Sequence, residues 1–323
     1  MSAPRVGIIG ARRVRQGLGP FVVRDLVAAG VEVPCFAVTA PSSIQPALAE
    51  IQRHAAVSPR GYSSAEEMLD REPLDAVAIL TPAESHEAYL ELGARRGLAA
   101  LCEKPLVWGG RGIAERAAER VAAFAERGLL LYENCQWPFT LPAFERLHPG
   151  SLGAPPRRFR MELQPASRGA TALGDTLSHP LSLLQALVPG DMPAIDGFSA
   201  DLPRGAGPLT LRFRYRSGAN SCAVEVALKP DTALPRHAAI EIDGRAAARV
   251  VAPETYQLSF VASGRIVPMD DPLTSLVADF AARLRIPDEA DRISRAHHIE
   301  QRMRLLAELA GAYLRQEIPQ ESP

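Results

Sequence analysis

The sequence predicts an α/β chain of two domains: a doubly wound parallel sheet over residues 1–135, then an α+β domain with a large, mainly antiparallel sheet over 136–323. Three observations carry this. At 323 residues the chain exceeds what one ordinary hydrophobic core encloses. Short apolar runs alternate with amphipathic helical stretches as far as about residue 135. Beyond that point period-two strands take over, as where Arg212, Arg214 and Arg216 alternate with apolar neighbours, the pattern of a sheet with one wet face.

The elements follow in order. The run from Arg5 to Gly10 is a strand ending in glycine. Residues 20–29 read as a helix, opened by Pro20 and closed by Gly30. A strand at 31–38 precedes a helix at 42–54. The turn Gly61-Tyr62-Ser63-Ser64 leads to a short helix at 65–70. A strand at 75–80 stops at Thr81-Pro82, and the helix at 85–96 closes at Gly97. A strand at 98–102 stops at Lys104-Pro105, a helix at 113–127 closes at Gly128, and a strand at 129–132 completes the half. Strands that alternate with helices must be parallel, because each crossover returns the chain along one face. Ligands then bind at the carboxyl ends of the strands, which selects Gly10, Thr39, Thr81 and Glu103-Lys104. After a Pro-rich stretch at 138–156, strands are expected at 158–163, 209–215, 221–228, 238–242 and 256–261. Helices are expected at 176–187, 273–284 and 290–315.

Charge excludes some functions. The 36 basic and 37 acidic residues nearly cancel, so no field draws nucleic acid or an anionic membrane. The expected partner is a small molecule or a second copy of the chain. Cys35, Cys102, Cys135 and Cys222 lack metal-ligand spacing and read as buried free thiols in a reducing compartment, with no metal. No leader pattern and no apolar stretch long enough to cross a bilayer is seen. The expected location is the cytoplasm.

The loop after the first strand is Gly10-Ala11-Arg12-Arg13-Val14-Arg15-Gln16-Gly17-Leu18-Gly19-Pro20. A dinucleotide fold normally places Gly-x-Gly-x-x-Gly here, for the tight turn, the approach of backbone to pyrophosphate, and close helix–strand packing. Only Gly10 falls on that pattern, with Arg12 and Arg15 at the second and third glycine positions. Two readings stand. Arg12 and Arg13 offer guanidinium donors to phosphate, or their bulk closes the site. The second strand exits through Thr39-Ala40-Pro41-Ser42-Ser43 with no acidic residue for a ribose 2′-hydroxyl. NADP therefore suits the loop better than NAD.

Three linked motifs add specificity. Leu80-Thr81-Pro82-Ala83-Glu84-Ser85-His86 ends one strand, Cys102-Glu103-Lys104-Pro105 ends the next, and Gly174-Asp175-Thr176-Leu177-Ser178-His179 opens a helix of the second domain. Together they resemble the glucose–fructose oxidoreductase / inositol dehydrogenase / rhizopine-catabolism (Gfo/Idh/MocA) family across both domains. The resemblance implies a Rossmann domain and an open-faced second sheet often used for dimer or tetramer formation. It also implies hydride transfer between NAD(P) and a hydroxyl or carbonyl carbon of a sugar, cyclitol or related molecule. Lys104 would polarise the reacting oxygen, Asp175 hold substrate or tune Lys104, and His179 transfer the proton. Gly10, Ala11, Arg12, Arg13, Thr39, Thr81, Pro82, His86, Glu103 and Lys104 would line the cofactor crevice. Gln136, Trp137 and Arg168 would meet substrate.

Each residue also has a structural reading. Asp175 could cap the helix at 176–187, His179 could be a packed neutral ring, and Lys104 a solvated residue before a turn proline. His86 divides between the cofactor crevice and a hydrogen bond to Glu103. Trp137 stacks on a sugar-like ring or fills core. The family pattern often has Asn after Thr-Pro and Asn-x-Arg-Phe at a strand exit. Here stand Ala83 and Asn134-Cys135-Gln136-Trp137, and Gln136 lacks the charge to hold an acidic substrate. Two other functions compete with the dehydrogenase: a non-catalytic relative acting as a ligand-binding or scaffold protein, and an imine reductase.

Overall fold

The computed structural model describes residues 2–12, 17–202, 207–252 and 254–317. They form two compact units. Unit 1 comprises Met1–Asn134 and Leu273–Glu300, and unit 2 comprises Cys135–Pro272 and Gln301–Pro323.

Unit 1 is built on six parallel strands: β1 (Val6–Ile9), β2 (Cys35–Ala37), β3 (Arg60–Tyr62), β4 (Ala76–Ile79), β5 (Ala99–Cys102) and β6 (Leu131–Glu133), in the order β3-β2-β1-β4-β5-β6. β1, β4 and β5 are buried at every position, as expected when helices cover both faces of a parallel sheet. The covering helices are α1 (Gly19–Ala28), α2 (Ile44–His54), α3 (Ala65–Arg71), α4 (His86–Arg95) and α5 (Ile113–Ala125). Ser64 starts α3 by accepting the Glu67 N–H at 3.3 Å, the capping bond that serine supplies at a helix start. Strand order reverses between β1 and β4, so the fold opens its ligand crevice at their carboxyl ends. β3 falls where the sequence suggested only a turn. Its three residues pair with β2 at the sheet edge, too short a run to show a period.

The second domain was expected to hold 136–323 without interruption. Instead α9 (Pro272–Arg285) and the first part of α10 (Glu289–Glu317) belong with unit 1. The reason is specific packing. Phe280 sets its edge on Tyr132, with ring centroids 5.8 Å apart, and the Tyr132 hydroxyl donates to Asp279. Arg283 bridges Asp279 and Asp291, Arg295 lies over the Tyr132 ring at 4.7 Å, and Arg292 donates to the Ala125 carbonyl at 3.2 Å.

Unit 2 carries an eight-stranded sheet: β7 (Arg158–Leu163), β8 (Ala194–Asp201), β9 (Leu209–Ser217), β10 (Asn220–Leu228), β11 (Ala238–Ile242), β12 (Arg245–Val251), β13 (Leu258–Ala262) and β14 (Arg265–Met269). Its order is β14-β13-β12-β11-β7-β10-β9-β8, antiparallel except for β7 with β10. Alternation along β9 sends Leu211, Phe213 and Tyr215 inward and Arg212, Arg214 and Arg216 to solvent. The wet face carries an ion-pair ladder, Arg160–Glu225–Arg212–Asp201. It also holds a groove of 410 Å³ whose charged lining residues include Arg158, Arg214 and Asp196. The inner side packs with α6 (Leu141–Leu147), α7 (Gly169–Thr176), α8 (Ser178–Leu187) and the end of α10, where Arg302 bonds Gln185. No described helix is long and apolar enough to cross a membrane.

Candidate active site

In unit 1 the residues selected from strand exits gather at the carboxyl edge of the parallel sheet. Gly10 sits at φ +94°, and an added Cβ would lie 2.7 Å from the Leu80 carbonyl oxygen and 2.8 Å from Thr81 Cγ2. Only glycine lets β1 and β4 leave the sheet so close together. Its N–H donates to the Ala37 carbonyl at 3.1 Å, tying the turn to β2. Ala11 is fully buried. Arg13 and Arg15 lie outside the described residues.

The close helix–strand packing of a third glycine is supplied by Gly19, the first residue of α1: a Cβ there would stand 2.8 Å from the Ala11 carbonyl carbon and oxygen. α1 begins with no acidic residue in its first turn and no side-chain cap, so no carboxylate competes with an anion at the positive end of the helix. Arg12 reaches from this loop to the exit of β2, where its guanidinium donates to Ser43 Oγ at 2.9 Å. Thr39, at the same exit, is exposed. A turn with no room for a Cβ, an uncapped helix start and a guanidinium where an acidic residue is absent fit a dinucleotide.

At the β4 exit Ser85 donates to Thr81 Oγ1 or the Pro82 carbonyl, each 2.8 Å away. His86 opens α4 and is 1% exposed. Its partners are backbone carbonyls and not the Glu103 carboxylate: Nδ1 lies 2.9 Å from the Pro105 oxygen and Nε2 2.8 Å from that of Thr81. His86 thus ties the β4 exit to the Glu103-Lys104-Pro105 corner, which contains a cis Lys104–Pro105 bond. Burial raises the Glu103 pKa, while the Lys104 charge and a hydrogen bond from Asn134 pull it back. The Asn134–Glu103 contact joins the exits of β6 and β5, a pairing that strand spacing alone does not reveal. Glu133 Oε1 accepts the Leu106 N–H at 3.2 Å, holding the corner from its far side.

Unit 2 holds the remaining candidates. Asp175 is the penultimate residue of α7 and does not cap a helix starting at 176. Two helices meet at Leu177, and the exposed Asp175 carboxylate accepts the Ser167 hydroxyl. His179 lies in the first turn of α8, its ring 6.2 Å from that of Trp137. Trp137 is 3% exposed, so it walls this region and offers no open stacking face. Gln136 precedes its 3₁₀ turn and is half-buried. Arg168, just before α7, is exposed. Cys135, Cys102, Cys35 and Cys222 are buried free thiols, and no group among the described residues could hold a metal ion.

Residues 4–134 match the model of an oxidoreductase family with an NAD-binding Rossmann fold, Gfo/Idh/MocA. D-Apiose dehydrogenase of Paraburkholderia graminis is 37% identical over 100 residues, 30% of this chain and 25% of the relative. The match therefore spans a quarter of the curated relative's length. Solved structures share the whole fold at lower identity. A UDP-N-acetylglucosamine 3-dehydrogenase from Acidithiobacillus ferrooxidans superposes with a TM-score of 0.63 at 20% identity, over 97% of this chain and 100% of that one. A 3-ketoreductase variant from Actinomadura kijaniata, in complex with TDP-benzene and NADP, gives 0.69 at 19% identity over 96% and 97%. An oxidoreductase from Agrobacterium radiobacter, with NAD+, L-tartaric acid and magnesium, gives 0.62 at 16% over 98% and 97%. Over residues 4–134 this chain is thus similar to oxidoreductases with an NAD-binding Rossmann fold.

Proposed function

We propose that the protein is an NAD(P)-dependent oxidoreductase that transfers hydride to or from a hydroxyl or carbonyl carbon of a sugar, cyclitol or related small molecule, with NADP preferred. The observation that carries this is the cradle at the β1 exit: Gly10 with no space for a Cβ, the uncapped start of α1, and Arg12 set on Ser43. Gly10, Ala11 and the positive end of α1 hold the pyrophosphate. Arg12, beside Thr39, takes the ribose 2′-phosphate. Thr81, Pro82 and the Glu103–Lys104 corner line the rest of the crevice.

The bound dinucleotide supplies the hydride donor or acceptor. Lys104 stabilises negative charge on the substrate oxygen, where an ammonium lowers the barrier most. His179 exchanges the hydroxyl proton, the task for which an imidazole is the side chain used most often. Asp175 orients substrate. His86 acts on neither substrate nor hydride and positions the Lys104 corner through the Pro105 carbonyl. The same reading places the protein in the cytoplasm and pairs it with a second copy through the outer face of the unit 2 sheet.

Calorimetric titration with NADPH tests the proposal. Binding in the micromolar range is expected, with Lys104→Ala retaining it and losing most turnover. A folded protein that binds neither NADPH nor NADH is the non-catalytic relative instead.

A further inference from the structure

Arg249 lies on β12 with its side chain on the inner side of the sheet, in line with the buried Ala247. It is half-buried. Its guanidinium lies over the Trp137 ring at 5.4 Å from the centroid, and the same indole has the His179 ring as a neighbour at 6.2 Å. One aromatic side chain therefore joins this cation to the proposed proton-transfer residue, all within unit 2.

A guanidinium carries five N–H donors. Protein takes up one of them at Arg249, through a 3.2 Å bond from Nη2 to the Arg236 carbonyl. Its Nε is buried with no partner, as is the Nε of Arg236. Neither arginine forms an ion pair with any described residue. Asp271 is the one carboxylate whose charge is felt at Arg249, and burial outweighs it in pulling the guanidinium pKa down. The contrast with the outer sheet face is sharp, since Arg160, Arg212 and Arg216 are each paired to carboxylates at 2.5–2.8 Å. Drawing a cation partly out of water without an ion pair is costly and persists where a ligand supplies the counter-charge.

We propose that the substrate carries a carboxylate, making it a sugar acid or similar hydroxy acid, and that Arg249 is the residue that binds this group beside Trp137 and His179. This rests on the oxidoreductase reading and narrows its substrate class. Gln136 lacks the charge an acidic substrate needs, and Arg249 supplies it from a strand more than a hundred residues further on. The guanidinium edge offers parallel donors to the two oxygens of a carboxylate, and the indole fixes its plane.

The test uses the full chain with Trp108→Phe, so that Trp137 is the sole fluorophore of its kind. Its emission is titrated with D-gluconate, D-glucuronate, D-glucose 6-phosphate, D-glucose and sorbitol, with and without NADPH. Gluconate or glucuronate should bind at least tenfold more tightly than the neutral sugars. Arg249→Met should erase that preference, and Arg249→Lys should restore part of it. Equal affinity for acid and neutral compounds, binding of none of them, preference for the phosphate, or a carboxylate preference surviving Arg249→Met would each overturn the proposal. NADPH binding, read in the same samples, reports separately on the oxidoreductase reading. Should Arg249→Met fail to fold, Arg249→Lys with unchanged gluconate affinity overturns it equally.

Discussion

Gly19→Ala separates a helix-start glycine that is merely present from one that packs α1 against the β1 turn. The added methyl would sit 2.8, 2.8 and 2.9 Å from the carbonyl carbon, carbonyl oxygen and Cα of Ala11. Relaxed carbon contacts lie at about 3.5–4.0 Å, so the two backbones must part by roughly 0.7–1 Å. Ala11 has nowhere to go: it is fully buried, and the preceding Gly10 N–H is tied to Ala37. Overpacking of this kind costs about 1–3 kcal/mol. The opposing contribution is the unfolded-chain entropy that alanine removes, about 0.4–1 kcal/mol in its favour. The net is a loss of roughly 0.5–2 kcal/mol, or about 2–6 °C in Tm for a domain of this size, with weaker NADPH binding because the pyrophosphate turn shifts. Gly93→Ala is the control. Its Cβ meets only Val77 Cγ2 at 3.4 Å, so the entropic gain should appear alone. Both are read by far-UV circular dichroism melts of the full chain. A Gly19→Ala protein as stable as its parent, beside a stabilised Gly93→Ala, would refute the packing role.

Other expectations follow from single contacts. His86→Ala strips the Thr81 and Pro105 carbonyls of their shared partner and should cost about 2–4 kcal/mol, seen as a lower urea midpoint at unchanged m-value; an unmoved midpoint would contradict the clamp. Glu145 is held below its ordinary pKa, first by the Gly150 N–H at 2.5 Å and then by Leu152 and Ser151. A lowered folded value stabilises above the unfolded pKa of about 4.3 and is lost as pH falls through the folded value. The Tm deficit of Glu145→Gln should therefore be full at neutral pH and shrink below about pH 4, and a deficit that grows on acidification reverses the sign. Burial pushes the Cys35 and Cys222 thiols to about 12 and Cys102 well above its ordinary range, so native protein should resist a thiol-disulfide reagent until denaturant is added. Fast stoichiometric labelling of the native state would contradict that burial.

Most of the parallel half was legible because its strands are buried on both faces and its helices end at glycines such as Gly30, Gly97 and Gly128. Composition hid parts of the second sheet. β12 reads Arg245-Ala246-Ala247-Ala248-Arg249-Val250-Val251, a run whose alanines favour helix, yet pairing with β11 and β13 imposes a strand. β8 is broken by Gly197 at φ +63° and a register shift between Asp196 and Ser199. β14 contains Pro268, tolerated because the strand is an edge. At the site, strand exits located Gly10, Thr81 and Lys104 directly. The partners of Arg12 and His86 were not legible, since the Ser43 hydroxyl and the Pro105 carbonyl become neighbours only through crossovers. Arg249 carried no signal at all: its alanine-rich run does not read as a strand, and only the pairing of β12 with β11 and β13 puts it in line with the buried Ala247.

A crystal structure of the protein soaked with NADPH bears most directly on whether the β1 exit is a dinucleotide cradle. The pyrophosphate should lie over Gly10 and the first turn of α1, with the 2′-phosphate against Arg12 and Ser43. Saturated crystals in which arginine side chains fill that space, and no nucleotide occupies it, would contradict the assignment and leave Lys104 and His179 without a hydride to serve.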